Sequence, residues 1–460
     1  MAGNPTTERL TFREKFGYGL GDAACNVVFQ LVMSFMPYFY TDVFGIAPAA
    51  LGTMLLLVRT GVSLADPVAG VLCDRTNTRW GKFRPWLLWM SVPYAVIAVL
   101  TFTTPDWSPD AKLVYAYVTS SLLLVVYAAI NVPYCALGAV ITANSQERVA
   151  LNGFRFFLAT AGGAMVVATT PPLVQYLGEG NLARGFPRAV AVLAGCAVVM
   201  FAVCFFATRE RVVQATQSVS DLWRDVKFLV RNDQWLVVAA MNLVLFVAIV
   251  VQDGSSIYYI RWYVERPDLV GAFLTTGMAS SMLGALLAEA LVARLPKTTA
   301  YVLLQGTIIV ASIALYGVAK DQLVLVFVVY ALQQFFTQMA SPILWSMMAD
   351  TVDYGEFVTG RRITGLTFSG ALLFLKLGTA GGGALLGWLL AYFHYQPLST
   401  SQSPGTVAGI VLMFTLVPAV GHLVLIALVA FYRLTDARCD EIHAELSRRR
   451  FEGEAKPARF

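Results

Sequence analysis

Long apolar runs separated by short polar segments dominate this chain. Each run lasts about twenty residues, which is the length that a helix needs to cross a bilayer. A β-barrel is disfavoured because its strands would alternate polar and apolar residues over about ten positions. We predict an all-α polytopic membrane protein. Its twelve spans are placed at residues 16–41, 50–73, 86–104, 113–140, 149–175, 187–208, 234–264, 268–293, 299–318, 322–348, 364–393 and 406–433.

Composition and loop charges agree with this class and add an orientation. Apolar and aromatic residues make up 57% of the 460 residues and charged residues 13%, about half the charged fraction of soluble chains. Of the 33 lysines and arginines, 24 lie in segments on the same side as the N-terminus. Because positive loops stay inside, we predict a multi-pass protein of the inner (plasma) membrane with both termini cytoplasmic. The net charge of +5 is scattered rather than clustered, so no nucleic-acid partner is expected.

The longest polar segment between spans divides the chain into two six-helix halves. The second and eighth spans are similar in sequence, as are the fourth and tenth, where Pro133 answers Pro342 and Glu147 answers Glu356. Duplicated bundles are typical of transporters that hold their substrate between the halves and alternate its access. The predicted parts are an N-terminal bundle at residues 1–208, a cytoplasmic linker at 209–233, a C-terminal bundle at 234–435 and a cytoplasmic tail at 436–460.

Polar residues inside the spans are candidate functional groups, because a charge in the membrane interior costs several kcal/mol and needs a partner or water. Asp22, Asn26 and Gln30 are spaced by four residues and share one face of the first helix. Arg155 in span five and Lys376 in span eleven lie in opposite halves and place positive charge toward a central cavity. We predict a binding role for these two basic residues.

Other polar residues inside the spans leave structural alternatives open. Arg59 and Asp66 are seven residues apart on one helix face, so the arginine either neutralises the carboxylate or belongs to a cation site. Asn131 precedes a proline by two positions and either caps loosened backbone groups or contacts a ligand. Asp253 and Glu289 lie closer to span ends, where water can solvate them.

Two charged segments on the predicted cytoplasmic side suggest a gate. A basic loop from one half facing an acidic segment from the other is suited to ion pairs that form and break during transport. The alternative is that the basic loop only determines topology. The residues are Asp74, Arg75, Arg79, Lys82 and Arg84 in DRTNTRWGKFRPW, and Asp350, Asp353 and Glu356 in DTVDYGEF.

Signatures of catalysis are missing from the sequence. It has no G-x-x-x-x-G-K-[ST] phosphate loop, its three histidines have no metal-binding spacing, and its six cysteines show no paired spacing. We therefore expect neither an enzyme nor a cofactor, metal site or disulfide framework.

Several motifs resemble the glycoside-pentoside-hexuronide cation symporters, the melibiose-permease group of the major facilitator superfamily. They are GYGLGDAACN, YFYTDVFGI, DRTNTRWGKFRPW, NVPYCAL and ADTVDYGEF, and the resemblance covers about residues 12–435. It implies the major facilitator fold, with twelve helices in two bundles, and uptake of a sugar, glycoside or sugar acid with Na⁺, Li⁺ or H⁺. Related animal carriers transport lysolipids, so a lipid or other amphipathic anion is the alternative substrate. A receptor or scaffold without transport is a third reading.

The resemblance implies a substrate site in which some polar groups are kept and others lost. Asn26 and Asn131 match two acidic residues that bind galactosyl hydroxyls in melibiose permease, while its arginine of span five and lysine of span eleven match Arg155 and Lys376. With Gln30 these residues form the predicted site. The pocket is expected to be more apolar than that of melibiose permease, which favours a less hydroxylated or an anionic substrate. The less polar positions are Cys25, Cys135, Ala371 and Leu372.

The implied cation site departs further from the family pattern. The family has two aspartates four apart in span two, but here the first is Val62 and only Asp66 remains. Two further ligand positions are Ala65 and Ala128. Because one carboxylate cannot readily replace the water shell of Na⁺, we expect coupling to H⁺ through Asp66 beside Arg59, or transport without a coupled cation. A monomer in the bilayer is expected.

Overall fold

Helices form nearly all of the described chain. The computed structural model describes residues 9–62, 65–142, 145–211, 222–292, 295–360 and 363–451. In the N-terminal half the helices are α1 (Phe12–Ser34), α2 (Met36–Tyr38), α3 (Pro48–Val62), α4 (Ala65–Arg75), α5 (Arg84–Thr101), α6 (Pro109–Ile141), α7 (Ser145–Gly178) and α8 (Leu182–Ala207). The remaining helices of the chain are α9 (Leu222–Arg231), α10 (Asp233–Tyr258), α11 (Val270–Val292), α12 (Lys297–Gly317), α13 (Leu323–Thr359), α14 (Thr364–Tyr392), α15 (Pro404–Phe414), α16 (Leu416–Val429) and α17 (Asp436–Phe451).

The helices of the described chain are long and apolar enough to account for eleven of the twelve predicted spans. Ten of those in the described chain can cross a membrane by length and composition, and the bent pair Phe12–Ser34 and Met36–Val43 makes an eleventh. The predicted second span corresponds to α3 and α4, which flank residues 63–64, outside the described chain. These findings confirm the prediction of an all-α polytopic membrane protein.

The same irregular turn ends the first long helix of each half. A π-helical turn at Phe39–Val43 follows α1 and α2, and another at Tyr259–Tyr263 follows α10. Prolines lie inside α6 and α13, at Pro133 and Pro342. This placement agrees with the repeat between the two halves of the sequence.

The acidic segment of the predicted gate is helical and continues the tenth span, which was predicted to end at residue 348. Helix α13 continues beyond the apolar stretch to Thr359 and ends at Gly360. That glycine has a φ of 71° and donates its N–H to the Glu356 carbonyl at 2.8 Å, a left-handed cap that favours glycine. Asp350 and Asp353 therefore lie in the C-terminal turns of a long helix.

The described helices group into two compact units. The first consists of Met1–Gln217, Arg266–Thr275 and Leu390–Gln402, and the second of Ser218–Glu265, Thr276–Leu389 and Ser403–Phe460. In the first unit α1 packs against α7 and α8, and in the second α12 packs against α13 and α16. The segment 390–402 is tied to the first unit by Tyr395, whose hydroxyl donates to the Asp42 carboxylate at 2.7 and 2.8 Å. The predicted boundaries at residues 208 and 233 stay a prediction.

Glycines let α1 lie directly against its neighbours. A Cβ on Gly19 would come within 2.8 Å of the Phe154 carbonyl oxygen in α7, and one on Gly21 within 2.5 Å of the Tyr134 ring in α6. Small residues allow such close helix contacts in membranes. The GYGLGD motif thus brings Asp22 close to α6 and α7.

Candidate functional site

An ion pair between α1 and α7 is the centre of the polar site in the first unit. Arg155 Nε donates to Asp22 Oδ2 at 2.8 Å, with the side chains 22% and 8% exposed. Arg155 Nη2 also donates to Cys135 Sγ at 3.5 Å, and the guanidinium lies 5.4 Å from the centre of the Tyr134 ring. The pair neutralises two charges that would each be costly alone inside a membrane.

Two asparagines of the predicted site lie next to this pair. Asn26 Nδ2 donates to the Asp22 carbonyl at 2.9 Å. Cys135 Sγ donates to Asn131 Oδ1 at 4.0 Å, a weak thiol contact one turn along α6. The structure thus links Asn131 to Arg155 through Cys135, and Asn26 lies one turn along α1 from the Asp22 that pairs with Arg155. Their binding role stays a prediction.

Gln30 and Lys376 have different surroundings. Gln30 Nε2 donates to Ser34 Oγ at 2.7 Å, one turn further along α1. Lys376 lies on α14 in the second unit, is partly buried, and accepts a hydrogen bond from Thr379 Oγ1 on its carbonyl at 2.8 Å. Close approaches of Gly378 and Gly382 to the backbone of α10, at Leu243 and Val247, fix the position of α14 along that helix.

Asp22 is the main residue of this site for which the sequence predicted neither a partner nor a binding role. Its signal is present, because it is four residues before Asn26 on the same helix face. Its partner on α7 is 133 residues away, and no spacing rule predicts such a contact. A guanidinium that is already paired with a carboxylate adds little net charge to the site, although it keeps N–H donors. This small net charge weakens the expectation of an anionic substrate.

The predicted coupling residues are only partly described. Arg59 is buried on α3, with Nη2 3.6 Å from Met33 Sδ. The side chains of Asp66 and Asp74 lie outside the described part, so the role of Asp66 stays a prediction. Ala128 is buried and offers no side-chain oxygen.

The basic loop of the predicted gate is fastened within its own unit. Glu210 accepts the backbone N–H groups of Lys82, Phe83 and Arg84 at 2.9, 2.8 and 3.0 Å. Arg84 Nη2 also donates to the Phe205 carbonyl at 2.6 Å. Glu210 satisfies free donors at the N-terminus of α5, a role that its position in a polar linker does not reveal.

The other basic residues of this loop lie near the surface. Arg75 is exposed at the end of α4. Arg79 is exposed and its guanidinium lies 4.7 Å from the centre of the Trp80 ring. Neither position tests the predicted gating role.

The acidic residues of α13 also have partners within their own unit. Lys297 Nζ forms an ion pair with Asp350 and lies 3.7 Å from Asp436 of α17. The hydroxyl of Tyr432 donates to Asp350 Oδ2 at 3.2 Å. Asp353 and Glu356 are partly buried on the same helix. The gate between the two segments stays a prediction.

Removing the Glu210 carboxylate should loosen the start of α5. We expect Glu210→Ala to lower stability by about 0.5–2 kcal/mol, the usual cost of a lost helix cap, seen as a lower midpoint of thermal unfolding in detergent. Asp106→Ala, at an exposed loop position, is the matched control. Equal midpoints for the two variants would contradict the capping role.

Comparison with known proteins identifies the family. The family model described as "MFS/sugar transport protein" matches residues 17–436. The inner membrane symporter YicJ of Escherichia coli (strain K12) is 40% identical over 443 residues, 96% of each chain. The isoprimeverose transporter of Lactiplantibacillus pentosus is 33% identical over 430 residues, 92% of this chain and 89% of that protein.

Solved structures agree on the fold. The crystal structure of a D-xylose-proton symporter superimposes with a TM-score of 0.63 at 14% identity, covering 90% of this chain and 97% of that one. This similarity confirms the predicted major facilitator fold, and the family match confirms the resemblance found in the motifs. The chain belongs to the MFS/sugar transport protein family and is a multi-pass membrane transporter of the glycoside symporter group.

Proposed function

We propose that this protein imports a neutral sugar or glycoside by alternating access, as a proton-coupled symporter. Family membership supports transport rather than catalysis. The names of relatives, an isoprimeverose transporter among them, support a small sugar-like substrate. The observation that carries the preference for a neutral substrate is the ion pair between Asp22 and Arg155.

The ion pair favours hydroxyl groups over a carboxylate for a physical reason. Arg155 already has Asp22 at 2.8 Å, so the pair has no net charge to offer an anion. An incoming sugar acid would place a second negative charge near Asp22. The side-chain amides of Asn26 and Asn131 donate and accept hydrogen bonds, as sugar hydroxyls do. We assign substrate contact to these amides and Arg155, with Gln30 and Lys376 as further contributors.

Proton coupling rests on the oxygen ligands missing from the family's cation site. Val62, Ala65 and Ala128 supply no side-chain oxygen for Na⁺, which takes several oxygen ligands as other hard cations do. A proton needs one basic atom, and Asp66 is our candidate. We also propose a monomer in the inner membrane with both termini cytoplasmic, in line with the loop charges, and no enzymatic activity or cofactor.

A matched pair of substrates tests the preference for a neutral substrate. Purified protein in liposomes loaded with unlabelled isoprimeverose should exchange it for external label. A neutral methyl glucoside should compete about tenfold better than the methyl glucuronide, which carries a carboxylate in place of the hydroxymethyl group. Arg155→Ala should abolish exchange. Preferential exchange of the glucuronide would contradict the proposal.

The lipid alternative has less support, because no observation of the described residues favours it and two similar relatives are named as an inner membrane symporter and an isoprimeverose transporter. The same liposomes distinguish it. Movement of a labelled lysophospholipid without exchange of any glycoside would replace the sugar proposal. A receptor or scaffold would move neither compound.

A further inference from the structure

The second unit contains a carboxylate inside a membrane helix without a basic partner in the described chain. Asp253 lies on α10, ten residues before the end of the span Asp233–Tyr263 and so less close to a span end than expected from the sequence, and it is partly buried. Gln334 Nε2 of α13 approaches Asp253 Oδ1 at 3.4 Å and also donates to the Tyr330 hydroxyl at 3.2 Å. No lysine or arginine of the described residues forms an ion pair with Asp253.

Such an environment penalises the ionised carboxylate. A charge in the membrane interior costs several kcal/mol without a partner. A hydrogen bond of 3.4 Å from a neutral amide is longer than a good N–H···O bond, so Gln334 compensates little of that cost. Protonation of Asp253 removes the charge and keeps one oxygen for the amide. The position therefore differs from Asp22, which Arg155 stabilises in its charged form.

The helices around Asp253 bring uncharged side chains, one of them polar, close to it. Tyr330 is buried, and its hydroxyl lies where a Cβ on Gly277 of α11 would be only 2.5 Å away. On α14 it is Leu386 that contacts the next residue of α10, Gly254. On α15, Phe414 stacks on Tyr259 at 4.4 Å between ring centres. None of these contacts supplies a positive charge.

The nearby histidine, lysine and arginine side chains lie at other positions along the length of α10. Lys376 precedes Gly378, which meets α10 at Leu243, ten residues before Asp253. His422 follows Gly421, which meets α10 at Ala248, and its Nδ1 lies 2.6 Å from Gln305 Oε1 of α12. Arg261 is eight residues further along the chain, in the π-helical turn. Apart from the Tyr330 hydroxyl, Asp253 is thus the titratable group at its own level of the described helices.

We propose that Asp253, with Gln334 and Tyr330, is a proton-binding site of the second unit that takes part in coupling. The inference rests on the proposed proton-coupled transport. A proton from water binds a carboxylate oxygen and forms an O–H bond, which leaves the carboxyl neutral, and its release on the other side restores the carboxylate.

Proton stoichiometry tests the site directly. With the membrane potential held at zero, each coupled proton adds about tenfold glycoside accumulation per pH unit. Asp253→Asn should lower the slope of log accumulation against the pH gradient by about one proton, and Asp253→Glu should restore it. Asp233→Asn, an exposed carboxylate on the same helix, should leave the slope unchanged. An unchanged slope in Asp253→Asn would overturn the inference.

A second measurement needs no transport and no known substrate. Infrared spectroscopy of the purified protein follows the carbonyl band of protonated carboxyl groups during a pH titration. Asp253→Asn should remove the intensity of one buried carboxyl, and Asp233→Asn should not. An unaltered band overturns the site even if the variant transports nothing. If the wild-type protein accumulates no glycoside, the proposed function is wrong. The carbonyl band would still show whether Asp253 binds a proton.

Discussion

Replacing Asp22 with alanine is expected to abolish glycoside exchange and to destabilise the first unit. The change leaves Arg155 as an unpaired charge, 22% exposed, between helices that lie inside the membrane. Removing one partner of a buried ion pair costs about 3–5 kcal/mol. The guanidinium also loses the bond that fixes its direction beside Asn26 and Asn131. We expect a lower midpoint of thermal unfolding in detergent and no measurable glycoside exchange.

A double variant separates folding from binding at this pair. Asp22→Asn combined with Arg155→Gln removes both charges, and replacing a whole ion pair is often close to neutral. Its unfolding midpoint should return most of the way to that of the wild type, while exchange stays lost because the guanidinium donors are gone. An Asp22→Ala protein that unfolds and exchanges like the wild type would contradict the central place of the pair.

A methyl group at Gly284 should disturb the contact between α11 and α13 in the second unit. A Cβ there would lie 2.1 Å from the Phe335 carbonyl oxygen, which is backbone and cannot rotate away. One turn earlier Ser280 Oγ donates to the Ala331 carbonyl at 2.6 Å, so the helices are already in close contact. Forcing extra volume into a tight contact costs about 1–3 kcal/mol. We expect Gly284→Ala to lower the unfolding midpoint clearly.

Gly306 provides a matched control for this prediction. It also lies in a helix of the second unit, α12, but a Cβ there meets nothing within 4 Å. Gly306→Ala should be neutral or stabilising by up to about 1 kcal/mol, because alanine is the better helix former. Equal midpoints for Gly284→Ala and Gly306→Ala would show that the close helix contact does not limit stability.

The fold was largely predictable because the membrane imposes its pattern on the sequence. Apolar runs of spanning length locate most helices within a few residues, and the motifs identify the family. The clearest error concerns α13, which continues to Thr359. Hydropathy marks where the apolar stretch ends, but a helix ends only where its backbone is broken, here at Gly360.

The candidate site was predictable only as separate residues. Spacing placed Asp22 and Asn26 on one helix face, the charge inside a span singled out Arg155, and the resemblance matched Arg155 and Asn131 to substrate-binding positions. Which side chain pairs with which depends on how α1, α6 and α7 pack, and that packing depends on contacts such as Gly19 against the backbone of α7. Glu210 shows the same limit, because its partners are backbone N–H groups that carry no sequence signal.

The most direct test of the account is uptake of one neutral glycoside by the purified protein in liposomes, with the pH gradient and the Na⁺ gradient imposed separately at zero membrane potential. We predict that an acidic exterior alone, in Na⁺-free buffer, drives accumulation above the external concentration, and that a Na⁺ gradient at equal pH does not. Accumulation that requires the Na⁺ gradient would contradict proton coupling, and equilibration without accumulation under either gradient would contradict symport.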